Sequence, residues 1–180
     1  MYDLRRPIEF GGNVDPTAAD PTWPIRLAQA IDGIGLEFIG IQDHPYNAKF
    51  LDTWTLMATL AQATERVRFF PNVANLPLRP PAMLAKAAAS LDVLSGGRVE
   101  LGLGAGAFWE GITAMGGPSR SRAEAVGALE EAIQIIRALW SDAPSVRFAG
   151  QYYQVRGAHP GPHPAHPMGI WLGSYGPKML

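Results

Sequence analysis

The chain contains no cysteine, and this absence excludes several kinds of chemistry. Its 180 residues include 0 Cys, so a disulfide framework, a thiolate nucleophile and a cysteine-based zinc site are all ruled out. A covalent nucleophile would have to be another side chain.

Clustered positive charge and long hydrophobic runs are also lacking. The formal net charge is -1 and Lys and Arg form no run, so the basic surface expected of a nucleic-acid-binding protein is missing. A membrane span needs about 18 consecutive apolar residues, and no segment approaches that length. The opening MYDLRRPIEFGG has no apolar signal core. We therefore expect a cytoplasmic protein without nucleic-acid or membrane partners.

The composition is that of a soluble domain, with 47% hydrophobic and 17% charged residues, enough for one sizeable core. We treat residues 1–180 as a single domain. Segments rich in β-branched and aromatic residues that end in turn formers are predicted as strands; they cover 36–43, 66–75 and 98–106. PIEFGGNV and MGIWLGSYGPK add a first and a last strand, which makes five.

Helical patterns separate these strands. WPIRLAQAIDGIG is the first, and LDTWTLMATLAQATE is the second, with Asp52 or Thr53 as its candidate N-cap. PPAMLAKAAASLDVLSGG begins at prolines and stops at two glycines. The clearest helix begins at about Glu124. After it, residues 141–168 are expected to be an irregular insertion before the fifth strand.

The strand–helix unit repeats along the chain, because Phe38, Phe69 and Leu101 follow one another at intervals of 31 and 32 residues. This period fits consecutive right-handed βα units in a parallel sheet. The sequence therefore predicts an α/β fold.

A glycine motif follows the fourth predicted strand. In VELGLGAGAFWEG, Gly102, Gly104 and Ala107 spell the G-x-G-x-x-A of a dinucleotide-binding turn. That turn belongs after the first strand and opens directly into a helix, whereas here the next helix is expected only at about Glu124. A barrel strand with glycines at its C-terminal end fits better.

Three segments resemble the bacterial luciferase-like flavin-dependent oxidoreductases: IQDHPY, PNVANLPLRPPAMLAKAAASLDVLSGGRVELGLGAGAF and GIWLGSYGPK. The resemblance runs from about Ile8 to Leu180 and implies a (β/α)8 TIM barrel with its active site at the C-terminal ends of the strands. Such a barrel needs about 250 residues, so we expect only the first five βα units here. The chain would be a fragment, or a short homologue that covers its open sheet edges as a homo-oligomer.

The resemblance implies catalytic residues at the end of the second strand. Family members carry an acidic residue followed by His there, and Asp43 and His44 match those positions. His44 would be the acid/base and Asp43 would orient it. Without the resemblance, a polar loop shaped by His44 and Pro45 is the better explanation.

The resemblance also implies a cofactor-binding bulge after the third strand, made of Asn72, Val73 and Ala74. A non-proline cis peptide, at Asn72–Val73 or else at Val73–Ala74, would support one face of an isoalloxazine or deazaflavin ring. A buried strand end with an Asn cap is the alternative.

The fourth and fifth strand ends complete the implied cofactor site. Gly104, Ala105 and Gly106 would let the ring or its ribityl chain approach the backbone; bacterial luciferase has an Arg in place of Ala105 that helps hold the FMN phosphate, and that cation is missing here. The fifth end offers N–H groups, a hydroxyl and an ammonium for a phosphate, or is an ordinary strand-to-helix turn. Its residues are Gly173, Ser174, Tyr175, Gly176 and Lys178.

Three functions follow from the resemblance. The first is an FMN-dependent monooxygenase, in which reduced FMN from a partner flavin reductase and oxygen act on a small organic substrate. The second is an oxidoreductase that transfers hydride with the deazaflavin coenzyme F420, favoured by QDHPY and by Ala105. The third is a non-catalytic flavin-binding or structural half-barrel. No metal site is expected, because His159, His163 and His166 lie in a proline-rich loop without a neighbouring carboxylate.

Overall fold

The computed structural model describes residues 7–174. The strands are β1 (Gly11–Asn13), β2 (Phe38–Ile41), β3 (Arg68–Pro71), β4 (Ala74–Asn75), β5 (Leu101–Gly104), β6 (Val146–Ala149), β7 (Gln154–Ala158) and β8 (Ile170–Leu172). The α-helices are α1 (Trp23–Ile34), α2 (Thr53–Ala63), α3 (Pro81–Ser95), α4 (Trp109–Ala114) and α5 (Arg122–Leu139). A short 3-10 turn covers Leu76–Leu78.

Two parallel three-stranded sheets form the centre of the fold. One has the order β1-β2-β3 and the other β4-β5-β8. A parallel bridge between Phe69 and Val99 joins them. Since all these strands run the same way, their C-terminal ends meet at one edge. The predicted α/β alternation is confirmed.

Alternation along the strands separates the two faces of this sheet. On β2, Ile39 and Ile41 face the helices and are fully buried in the core with α1 and α2. On the inner face, Trp171 of β8 packs against Phe38 and Phe70 at ring-centroid distances of 4.9 and 4.8 Å. The helices therefore cover one face and an aromatic cluster lies on the other.

The helix ends follow local sequence rules. Asp52 is the N-cap of α2, as predicted, and its carboxylate accepts a hydrogen bond from the Thr55 N–H at 2.9 Å. α3 ends at Gly96, whose φ of 73° is the left-handed conformation that glycine adopts without strain. α5 starts at Arg122, slightly before the predicted position, because Ser121 and Glu124 form a capping box.

Two predictions about the second half of the chain were wrong. The segment after the glycine motif was expected to delay helix formation, but α4 begins at Trp109. The insertion at 141–168 was expected to be irregular, yet β6 and β7 form an antiparallel hairpin within it. Val146, Phe148 and Val155 pack against the core that contains α5. This packing outweighs the turn-forming composition around the hairpin.

None of the helices in the described part of the chain combines the length and the apolar character needed to cross a membrane.

Candidate active site

The C-terminal ends of the parallel strands bring the predicted site residues together. The Asn72 N–H donates to the Ile41 carbonyl at 2.6 Å, so the segment after β3 lies beside the end of β2. Asn75 pairs with Gly104 in the β4–β5 register. The Gly173 N–H donates to the Leu103 carbonyl at 3.0 Å. We call Asn75, Gly104 and Gly173 the tip row.

The bulge between β3 and β4 has the expected backbone. The Asn72–Val73 peptide is cis, at the first of the two positions expected from the sequence. The Val73 side chain lies over two glycines of the tip row: a Cβ added to Gly104 would be 2.5 Å from Val73 Cγ2, and one added to Gly173 would be 3.0 Å from it. The contact at Gly104 is too close for a side chain unless Val73 moves, and the contact at Gly173 is tight. The Val73 side chain is therefore the reason why glycine is favoured at positions 104 and 173.

The glycines at and after the end of β5 have a packing role, as the alternative of a strand end that needs small residues for packing predicts. Gly106 has a φ of 97°, and a Cβ added to it would lie 2.6 Å from Pro77 Cγ and 2.9 Å from the Trp109 ring. Ala105, between Gly104 and Gly106, is half-buried. In the described structure Gly104 and Gly106 make room for the side chains of Val73, Pro77 and Trp109.

Asp43 occupies a different role from the one expected. Its side chain is 1% exposed and accepts two hydrogen bonds from Arg79, Nε to Oδ2 and Nη2 to Oδ1, both at 2.7 Å. The Asn75 N–H donates to the same carboxylate at 2.9 Å. The expectation that Asp43 orients His44 is therefore corrected, because its hydrogen bonds hold Arg79 and the end of β4 instead.

Arg79 joins two carboxylates at this edge. Nη2 lies 2.5 Å from Asp52 Oδ2, so the N-cap of α2 shares the guanidinium with Asp43. Burial works against the charge on Arg79, but its hydrogen bonds and attraction to Asp43 and Asp52 raise the pKa of the guanidinium. Burial likewise opposes the charge on Asp52, and the bond from Arg79 nevertheless lowers the pKa of that carboxyl. Arg79 and Asp52 therefore stay ionised near neutral pH.

His44 is half-buried and bonds to Tyr46. Its Nδ1 lies 2.7 Å from the Tyr46 hydroxyl oxygen. Burial, and then the nearby negative charge of Asp43, raise the pKa of Tyr46. The hydroxyl therefore keeps its proton throughout the neutral range. We call these residues the His44–Tyr46 pair.

A cavity of about 510 Å³ lies on the inner face of the sheet. Its wall includes Asn13, Gly40, Phe70, Asn72 and Trp171, so it extends from the aromatic cluster to the ends of β1 and of the bulge. Asn72 connects the cavity with the predicted cofactor-binding bulge.

Two buried polar atoms, one in the tip row and one in the residue after it, have no hydrogen-bond partner among the described residues. They are Asn75 Oδ1 and Ser174 Oγ. Buried polar groups are rarely left unpaired, because the desolvation cost of each is about 1–3 kcal/mol. A polar ligand at this edge would pair with Asn75 Oδ1. Gly176, with Tyr175 and Lys178, lies outside the described residues.

Sequence reasoning missed Tyr46 and Arg79. Tyr46 stands two residues after His44 in QDHPY, and Arg79 stands in NLPLRPP, where no local pattern marks its reach to Asp43.

His166 was expected to lack carboxylate neighbours, but its Nδ1 is 3.0 Å from both Asp92 oxygens and its Nε2 is 3.3 Å from Glu100 Oε1. Asp92 belongs to α3 and Glu100 directly precedes β5, so both carboxylates are far from His166 in sequence. Within residues 7–174, no group of three or more His, Asp or Glu side chains, this cluster included, has the arrangement needed to hold a metal ion.

Comparisons with known proteins identify the family. The profile of the luciferase-like monooxygenases matches residues 7–180. The F420-dependent glucose-6-phosphate dehydrogenase of Amycolatopsis mediterranei is 30% identical over 178 residues, which cover 94% of this chain and 53% of that protein. The pyrimidine monooxygenase RutA of Bradyrhizobium sp. is 31% identical over 190 residues, covering 91% of this chain and 49% of RutA. The chain therefore spans about half the length of these two relatives.

A solved structure shows the same fold. The F420-dependent secondary alcohol dehydrogenase in complex with an F420–acetone adduct superposes with a TM-score of 0.85 at 24% identity, over 94% of this chain and 53% of that one. With the profile covering almost the whole sequence, the chain belongs to the luciferase-like monooxygenase family.

Proposed function

We propose that this chain carries the cofactor-binding strand ends of an F420-dependent oxidoreductase that exchanges hydride with the carbon of a small carbonyl or alcohol. The observation that carries this proposal is the His44–Tyr46 pair, joined at 2.7 Å and following the strand that lies beside the Asn72–Val73 bulge. Hydride exchange at such a carbon requires a proton to move at the oxygen, and imidazole is suited to that near neutral pH.

The strand ends fit a flavin-type ring with a polar tail. Val73 presents an apolar side chain over Gly104 and Gly173, a suitable support for one face of a flat ring. Asn75 Oδ1 is a buried polar atom without a partner among the described residues, and a ligand would supply one. When bound, a deazaflavin supplies or accepts the hydride. The chain's own residues bind the ring, and His44 gives the substrate oxygen its proton or takes it back.

The similarity to an F420-dependent glucose-6-phosphate dehydrogenase supports the choice of F420, as does the absence of a cation at Ala105. The second candidate is an FMN-dependent monooxygenase supplied with reduced FMN by a partner reductase, and the similarity to RutA favours it. Self-association of the chain also remains a proposal.

The test is a titration of the full chain with F420 and with FMN, followed by turnover assays with and without oxygen. We expect F420 to bind, and His44→Asn to keep that binding while turnover falls about 10²–10⁴-fold. His159→Asn is the matched control, since His159 bonds to the Pro144 carbonyl in the loop, away from the strand ends. Binding of FMN alone, with oxygen consumed only when FMN is reduced, would establish the monooxygenase instead. Tight binding without turnover would indicate a non-catalytic module.

A further inference from the structure

The His44 ring is held from one side by a hydroxyl, not by a carboxylate. Asp43, its sequence neighbour, already accepts hydrogen bonds from Arg79 and from the Asn75 N–H. The hydroxyl of Tyr46 lies 2.7 Å from His44 Nδ1. Within residues 7–174, it is the one hydrogen bond made by the His44 side chain and by the Tyr46 side chain.

The position of Tyr46 is in turn fixed by α4. The Tyr46 and Phe108 rings lie 5.2 Å apart between centroids. A Cβ added to Gly111 would come within 2.7 Å of Tyr46 Cγ and 2.7 Å of Phe108 Cδ1. The backbone of α4 therefore packs directly on the tyrosine ring, and no larger residue at position 111 fits without moving it.

The donor in this bond follows from the groups available. A phenol has one proton to donate, and a neutral imidazole has one nitrogen with a proton and one without. If Nδ1 carried the ring proton, the Tyr46 hydroxyl would accept that bond and its own proton would have no acceptor in the described structure. The opposite direction is favoured, because an unprotonated imidazole nitrogen is a much stronger acceptor than a phenol oxygen and a phenol O–H is a stronger donor than a neutral imidazole N–H.

From this geometry we propose that Tyr46 is the positioning residue of His44: its hydroxyl donates to Nδ1, holds the neutral ring with its proton on Nε2, and is itself kept in place by Gly111 of α4. Nε2 then carries the ring proton and donates a hydrogen bond to a ligand oxygen; as that proton passes to the oxygen, the Tyr46 hydroxyl proton moves to Nδ1, and both protons return when an alcohol is oxidised. The matching ligand group is an oxygen that accepts a hydrogen bond, such as a carbonyl oxygen. This inference rests on the proposed function for the role of His44, but the bond itself does not depend on it.

The raised pKa of Tyr46, caused by burial and by Asp43, is consistent with this arrangement because the phenol keeps its proton when His44 is neutral. The charged groups around the pair are the Asp43 carboxylate, which lies beside Tyr46, and Arg79, which balances that carboxylate.

The first test is nitrogen-15 NMR of the full chain labelled at histidine, without any cofactor. In the neutral ring of His44 we expect Nδ1 to be unprotonated and hydrogen-bonded and Nε2 to be protonated. In Tyr46→Phe the His44 signals should move, because that hydrogen bond is lost, while those of His159, His163 and His166 stay in place. A protonated Nδ1 in the wild-type chain, or unchanged His44 signals in Tyr46→Phe, would overturn the proposal.

A second variant tests whether α4 positions the Tyr46 ring, without removing the Tyr46 hydroxyl. Gly111→Ala keeps the tyrosine but displaces its ring, so we expect the same direction of change in the His44 signals. Gly33→Ala is the matched control: it lies in α1, and an added Cβ there has nothing within 4 Å. If Gly111→Ala leaves the His44 signals as in the wild type, α4 does not position Tyr46.

Kinetics provide the third readout. With a carbonyl substrate and reduced F420, Tyr46→Phe should lower kcat about tenfold, the loss of one hydrogen bond, and leave the dissociation constant of the cofactor unchanged. A purely structural role would weaken cofactor binding and kcat together, which would contradict the proposal. If the chain turns over neither F420 nor FMN, the proposed function fails, while the NMR result still decides the role of Tyr46.

Discussion

Arg79 and Asp43 are joined by two hydrogen bonds of 2.7 Å each, which tie the segment after β4 to the end of β2. The Asp43 side chain is 1% exposed and that of Arg79 is 20% exposed. Because a buried carboxylate without a countercharge is costly, this pair fixes the relative position of two strand ends that carry the site.

Replacing Arg79 should strongly destabilise the protein. In Arg79→Ala, Asp43 keeps the Asn75 N–H but loses its countercharge, so we expect the free energy of unfolding to fall by about 3–5 kcal/mol. Arg79→Lys should be intermediate, since an ammonium cannot form the two parallel bonds. Urea unfolding measures the effect. The control is Arg26→Ala, which removes an exposed pair with Asp20 and should unfold like the wild type. Equal stability of the two alanine variants would show that the buried pair contributes little.

The contact between Val73 and Gly104 predicts a specific coupling. Gly104→Ala places a Cβ 2.5 Å from Val73 Cγ2, and overpacking of this kind costs about 1–3 kcal/mol. Val73→Ala removes that atom, so adding Gly104→Ala to Val73→Ala should cost much less than adding it to the wild type. The measurement is a double-mutant cycle in urea, with cofactor binding as a second readout.

Gly33→Ala is also the control for this cycle. Its helical site is open, and alanine there should stabilise the chain by about 0.5–1 kcal/mol. Additive effects of Val73→Ala and Gly104→Ala would mean that the backbone at the tip row adjusts to the extra carbon.

The His166 cluster predicts a pH dependence of stability. Burial opposes the charge on this imidazole, but hydrogen bonds to Asp92 and Glu100 outweigh it and raise the pKa of His166. Arg68 also faces the cluster, 3.8 Å from Glu100. A group with a raised pKa in the folded state stabilises fully below its unfolded pKa of about 6.5 and loses that contribution as the pH rises through the folded value.

The wild type should therefore lose more stability than His166→Gln as the pH is raised above about 6.5. Urea unfolding at a series of pH values measures the difference, and His159→Gln, in the same loop, should follow the wild type. Parallel curves for the wild type and His166→Gln would show that the imidazolium is not bound more tightly in the folded chain.

The fold was largely predictable because its signals are local. The spacing of Phe38, Phe69 and Leu101 and the caps at Asp52 and Gly96 specify βα units directly. Two elements escaped prediction. α4 contains glycine, and its Gly111 is required by contact with Tyr46 and Phe108. The β6–β7 hairpin depends on packing against the core that contains α5. Tyr46 is far from Gly111 in sequence, and the core on which the hairpin packs also includes residues of β4 and α3.

The sequence by itself determined the α/β alternation, the family, and the position of His44 and of the Asn72–Val73 peptide at strand ends, because each depends on residues close together along the chain. Only the tertiary structure decided which groups meet. In the folded chain Asp43 pairs with Arg79, His166 pairs with Asp92 and Glu100, and Val73 packs over Gly104. These pairings join separate βα units, and they follow from how the strands align and the helices pack, which no short stretch of sequence specifies.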